Sequence, residues 1–152
     1  MSFRRNRTLI KNVICKGITG VSSIVTVKGW IKTIRKQKPL FIKINDGTCF
    51  FDLQIVIDKE HEEKYKSVIS QLSSGASIEV KGLIVESPSD EQEIEVQLHR
   101  IKLLGAIETP SKYPLSKKRH TLEHLRKIPH LRARTTLMAV ITRIRNRAAM
   151  AT

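Results

Sequence analysis

Residues 50–87 read FFDLQIVIDKEHEEKYKSVISQLSSGASIEVKGLIVES, and the hydrophobic period changes twice within them. Phe51, Leu53, Ile55 and Ile57 recur at alternate positions, as do Ile78 and Val80 further on, which is the pattern of a strand with one buried face. Between these runs Tyr65, Val68, Ile69 and Leu72 recur at helical spacing. Asp58 is suited to cap such a helix, Glu60, Glu62 and Glu63 to sit at its positive end, and Gly75 to terminate it. The stretch predicts strand, helix, strand.

The same alternation continues on both sides. Val25, Val27 and Ile31 carry it in IVTVKGWIKTI (24–34), Leu40, Ile42 and Ile44 in PLFIKIND (39–46), and Ile94, Val96 and Leu98 in EIEVQLHRIKLL (93–104). The NDG sequence at Asn45–Gly47 reads as a tight hairpin turn. Gly29 and Gly82 fall inside two of the runs, where glycine commonly marks a bulge or a sharp bend of a small barrel. Three strands, a helix and two strands is the order of a five-stranded OB-fold barrel, so a mainly β domain is predicted over residues 23–106.

On either side the character differs. Residues 1–22 form a basic N-terminal segment containing Arg4, Arg5 and Arg7, and residues 107–133 read as a proline-containing, basic linker. In residues 134–152 a helix is predicted, with Leu137, Val140, Ile141, Ile144 and Ala148 along one stripe. A stripe of that kind calls for a surface to bury it.

The chain has 28 Lys+Arg against 14 Asp+Glu over 152 residues, a formal net charge of +14. That excess favours a polyanionic partner, nucleic acid or an acidic membrane surface. No apolar run approaches the roughly 20 residues needed to span a bilayer, and no signal peptide is read, so a membrane is not an expected partner. Cys15 and Cys49 are the only cysteines, too few and too far apart for a disulfide framework or a thiolate zinc site, which fits a reducing cytoplasm.

In PLFIKIND the core parity is filled by Leu40, Ile42 and Ile44, which leaves Phe41 on the other face with Lys43 and Asn45. An OB barrel offers the outer face of its first three strands to single-stranded nucleic acid, with bases stacked on aromatic rings and phosphates in a basic groove. Phe41 suits that role; it equally suits filling a gap under the N-terminal segment or covering a barrel end. Asp52 and Gln54 share the outer parity of the third strand, and Glu93, Glu95 and Gln97 that of the fifth. Such groups can bond base edges, and each taken singly also fits a solvated face.

Four stretches carry a resemblance: VTVKGWIKTIRKQKPLFIKINDGTCFFDLQIVID (25–58), GASIEVKGLIVESPS (75–89), EIEVQ (93–97) and KYPLSKKRHTLEHLRKIPHLRARTT (112–136). Together they resemble the N-terminal, anticodon-binding region of asparaginyl-tRNA synthetases, in the aspartyl, asparaginyl and lysyl subgroup of class II aminoacyl-tRNA synthetases. The barrel part is shared across the subgroup, whereas YPLSKKRHTLEHLR…HLRARTT is specific to the asparaginyl branch. By motif position the resemblance implies that Phe41 stacks on the middle anticodon base, a uridine for asparagine tRNA. It implies further that Gln54 bonds that uridine's edge, that Arg35 belongs to the anticodon site, and that Glu95 recognises the first anticodon base. Lys32 and Lys43 are expected as supporting basic contacts. A full-length parent would attach asparagine to tRNA using ATP and magnesium and would dimerise through its catalytic domain; no cofactor is expected for this chain.

HTLEH at His120–His124 reproduces the H-x-x-E-H pattern of inverted zinc peptidases, with Glu123 as the base. No third ligand is evident, and the resemblance accounts for the segment as linker. The arginine-glutamate strand motif and the glycine-rich motif of class II catalysis are not found, so these residues are expected to bind tRNA without activating asparagine. LMAVITRIRNRAAMAT resembles only the opening helix of the first class II motif. Beside this reading stands a free-standing OB-fold module for single-stranded nucleic acid, without base specificity.

Overall fold

Alternate apolar residues bury one face of each of five strands, and the strands close on themselves. The computed structural model describes residues 7–89, 92–115 and 120–151. The chain divides into two units, Met1–Tyr113 and Pro114–Thr152. In the first, β1 (Ile24–Arg35), β2 (Leu40–Asn45), β3 (Leu53–Ile57), β4 (Ser77–Glu86) and β5 (Ile94–Gly105) form a closed barrel in the order β1-β2-β3-β5-β4. Every pairing is antiparallel except β3 with β5, whose parallel contact closes the barrel and identifies the OB topology. Val27, Ile31, Leu40, Ile42, Ile44, Ile55, Ile57, Ile78, Val80, Val96 and Leu98 fill the interior from the expected parity.

Gly82 marks a bulge, as read from the sequence: the β4–β5 register shifts between Lys81 and Gly82. A Cβ at Gly82 would lie 2.2 Å from the Gln97 carbonyl oxygen, so the close strand approach there excludes any side chain. In β1 the irregularity falls between Ile31 and Thr33 rather than at Gly29.

Several expectations are corrected. The helix after β3 is broken into α2 (Lys59–Lys64) and α3 (Lys66–Ile69) at Tyr65, whose φ of −108° and ψ of 22° leave the helical region. Asp58 occupies the N-cap position but makes no capping bond; its carboxylate accepts from Gln97 Nε2 at 3.4 Å instead. Gly75 lies in the turn entering β4, beyond the end of α3. NDG is not a two-residue hairpin: β2 ends at Asn45 and β3 begins at Leu53, leaving a loop over 46–52. Phe51 therefore lies outside the strand and is exposed.

The N-terminal segment also contributes to the core. Ile10 and Val13 are fully buried with the barrel residues, on the short helix α1 (Ile10–Lys16), and Ile14 packs against the same cluster. A turn over Gly17–Gly20 follows, after which Ser22 N donates to the Ile84 carbonyl and Ile84 N to that of Ser23. The Arg4 and Arg5 positions lie outside the described residues.

In the second unit, α4 (Leu122–Lys127) is capped by Thr121, whose Oγ1 accepts from His124 N at 3.3 Å, and Leu125 is buried. Pro129 opens α5 (Pro129–Arg132), where its missing N–H leaves no donor unpaired. The terminal α6 (Thr136–Ala151) buries none of its residues, and Leu137 and Ile144 of its apolar stripe are exposed.

Candidate nucleic-acid interface

The ladder registers place the sequence-predicted residues in rows across the outside of the barrel. Arg35 pairs with Phe41, Phe41 with Val56, and Val56 with Gln97, giving one row across β1, β2, β3 and β5. The next row holds Thr33, Lys43 and Gln54. Because Ile55 is level with Val96 in the parallel pair, Gln54 comes level with Glu95. A third row pairs Trp30 with Asn45. Rows on one face are roughly 7 Å apart, two residues along a strand.

Phe41 is half-buried between Arg35 and Val56 on the outer face, away from the core. Its ring does not complete the barrel interior, which Leu40 and Ile42 on either side already fill. Arg35, level with Phe41 at the end of β1, is exposed, so a cationic group borders the ring; Lys36 and Lys38 in the turn that follows are exposed as well.

Glu95 is more enclosed than strand parity alone predicts, at 8% exposure. Gln54 donates from Nε2 to Glu95 Oε2 at 3.2 Å, and Ser87 Oγ donates to the same oxygen at 3.5 Å. A carboxylate offers about four lone-pair sites, so two donors leave acceptor capacity for a ligand that brings N–H groups. A neutral base edge with an amino and an imino donor has that chemistry.

Gln97 closes the first row. Its amide donates to Asp58 Oδ2, and His61 Nδ1 lies 3.8 Å from the same oxygen. Asp58 thereby orients a second glutamine on the face, a function that parity alone could not indicate.

Arg35, Phe41, Lys43, Gln54 and Glu95 thus lie on one continuous face. Lys32 does not join a row, because it falls at the register shift between Ile31 and Thr33. What sequence reading missed is the aromatic content at the far end: Trp30, Phe50 and Phe51 are exposed by 42%, 45% and 69%. The doublet FF before a strand was the available signal, absorbed there into the strand alternation.

The HTLEH segment leads into α4. The rings of His120 and His124 stack with centroids 4.9 Å apart, and His124 Nε2 lies 3.2 Å from the Pro114 carbonyl oxygen. Among the described residues no group of three or more His, Cys, Asp or Glu comes together to hold a metal, and no helix is long and apolar enough to cross a membrane.

Residues 25–104 match the family described as OB-fold nucleic acid binding domain, of the tRNA anticodon type. An asparagine–tRNA ligase of Histophilus somni is 41% identical over 140 residues, covering 91% of this chain and 30% of that protein. One from Buchnera aphidicola is 40% identical over 143 residues, with 93% and 30% covered. The chain spans about 30% of the length of these relatives. Among solved structures, asparaginyl-tRNA synthetase from Pyrococcus horikoshii matches with a TM-score of 0.78 at 23% identity, over 95% of this chain and 34% of that one, a likeness of fold.

Proposed function

The chain belongs to the OB-fold nucleic acid binding domain family of the tRNA anticodon type, and on that premise we propose that it is the anticodon-binding portion of an asparagine–tRNA ligase. The observation that carries the proposal is the row structure of the outer face, where an aromatic ring, an amide, a carboxylate and basic groups occupy neighbouring registers. Phe41 stacks on the middle anticodon base, a uridine, and Gln54 bonds its edge. Glu95 accepts from the amino and imino donors of a guanine in the first position. Arg35, with Lys43 in support, holds the backbone, and Lys32 at the register shift lies beside rather than in these rows.

The parent attaches asparagine to tRNA with ATP and magnesium, in the cytoplasm, as a homodimer through its catalytic domain. On this reading, ATP–pyrophosphate exchange with asparagine is undetectable for the 152 residues alone.

The test is equilibrium binding of an anticodon stem-loop RNA carrying GUU, compared with the same RNA carrying cytidine in the middle position. Tighter binding to GUU is expected. Equal binding to both would favour a single-strand-binding module without base specificity, and no binding to either would remove the reading.

A further inference from the structure

We propose that Trp30, Phe50 and Phe51 form a second stacking surface on the same barrel face, which takes an unpaired nucleotide flanking the bases read by Phe41, Gln54 and Glu95. This rests on the anticodon reading of the face and extends it. Trp30 lies on the outer parity of β1, level with Asn45 of β2, two rows and roughly 13 Å from Phe41. All three rings are substantially exposed, and the residues that carry them lie at one end of the sheet, Trp30 level with Asn45 and the Phe51 backbone bonded by the Asn45 side chain; large exposed apolar groups gathered at one end mark a binding site more often than single ones do.

The loop that carries two of these rings is held at several points. Asn45 Nδ2 donates to the carbonyl oxygens of Cys49 and Phe51 and, at 2.9 Å, to Asp52 Oδ1, while Asn45 Oδ1 accepts from Gly47 N at 2.7 Å. Asp46 accepts from Thr48 N and, through its other oxygen, from Ile10 N of α1. Gly29 allows the Asn45 backbone to come close, since a Cβ there would lie 2.9 Å from the Asn45 carbonyl oxygen. One residue thus faces Trp30 across the ladder and bonds the backbone of Phe51, so the backbone that carries the rings is held at one end of the sheet before any ligand arrives. Such preorganisation lowers the ordering cost of binding.

A nucleotide is the occupant these features favour. The surface is continuous with the rows bearing Lys43 and Gln54, the chain carries a formal net charge of +14, and every base has a π face that stacks on aromatic rings regardless of its sequence. An RNA chain whose bases occupy Phe41 and the Gln54–Glu95 row reaches this end by continuing along the strand direction.

Trp30 is the single tryptophan, so fluorescence excited selectively at tryptophan reports on this end of the face. The 152-residue chain is titrated with the GUU stem-loop while binding is followed independently by anisotropy of a label on the RNA. Trp30 emission is expected to be quenched with the same midpoint as the anisotropy change. A GUU trinucleotide and oligonucleotides extended by one residue at either end then separate the subsites: one extension is expected to tighten binding, and Phe51→Ala to remove that gain, about tenfold. Binding with middle-base preference but unchanged Trp30 emission, and with no dependence on extension, would overturn this surface and leave the anticodon reading intact. No binding of any RNA would overturn both.

Discussion

Gln54 on β3 donates from its amide nitrogen to Glu95 on β5 at 3.2 Å, across the parallel pair that closes the barrel. The two residues lie 41 positions apart in sequence, so the bond exists only when the barrel is closed. It also fixes the direction of the Gln54 amide. One N–H is committed to Glu95, and the remaining N–H and the carbonyl form a donor and acceptor pair of the kind that complements a uridine edge. The carboxylate is at once an orienting group for Gln54 and a candidate reader of the first base.

Gln54→Ala and Glu95→Gln should therefore be coupled rather than additive in RNA binding. Each alone is expected to lower affinity, and the double variant to lose less than the sum, by about 0.5–3 kcal/mol. The four affinities for the GUU stem-loop supply the coupling. Strict additivity would mean that the two residues act on the RNA independently despite their bond.

Phe41 and Ile42 are chain neighbours on opposite faces, and their substitutions should separate binding from folding. Phe41→Ala should cost about 1–3 kcal/mol of RNA affinity with little change in stability, since the ring is outside the core. Ile42 is fully buried, so Ile42→Ala should cost about 2–5 kcal/mol of folding free energy through the cavity it leaves. Urea melts and RNA titrations on both variants check the pair. Unfolding of Phe41→Ala would assign the ring to the core.

The barrel was legible because period-two alternation is a local property that survives into the buried faces of all five strands. The outward placement of Phe41, Lys43 and Gln54 follows from the same parity. Less legible were features produced by contacts distant in sequence. Ile10, Val13 and Ile14 have helical spacing, but over so short a stretch the signal is weak, and Arg4, Arg5 and Arg7 ahead of it give residues 1–22 the character of a basic segment. The enclosure of Glu95 depends on Gln54 and Ser87 meeting it from two other parts of the chain. Phe51 shares the parity of Leu53, which favours a strand, whereas the bonds from Asn45 to its carbonyl and to Asp52 hold it in a loop. Asp58 stands where a cap should stand, yet Gln97 competes successfully for its carboxylate.

Asp46 joins the β2–β3 loop to the N-terminal helix. Its Oδ2 accepts from Ile10 N at 3.1 Å, satisfying a donor at the start of α1 from across the fold, while Oδ1 accepts from Thr48 N at 2.9 Å. Asp46→Ala should cost about 1–2 kcal/mol of stability, the range of a lost cap or a lost bond to a charged group. Hydrogen exchange should localise the effect: faster exchange over residues 10–16, with β4 and β5 protected as before. A uniform acceleration across the barrel would show that α1 and the barrel open together.

Salt should report how many phosphates the basic groups engage. Arg35 is exposed at the end of β1 in the row that contains Phe41, and Lys36 and Lys38 are exposed in the turn that follows. If about four phosphates are neutralised, affinity for the stem-loop should fall by roughly two orders of magnitude between 50 and 200 mM salt. Arg35→Ala, which removes one such contact at an exposed position, should weaken binding of GUU and middle-cytidine RNAs alike and reduce the logarithmic salt slope by about 1. Gln54→Ala should do the opposite, changing base preference and leaving the slope unaltered, because an uncharged amide releases no counterion. Measuring slope and preference together on both variants therefore separates backbone holding from base reading. An Arg35→Ala slope equal to that of the parent chain would assign the guanidinium to a base or to the barrel surface instead of a phosphate.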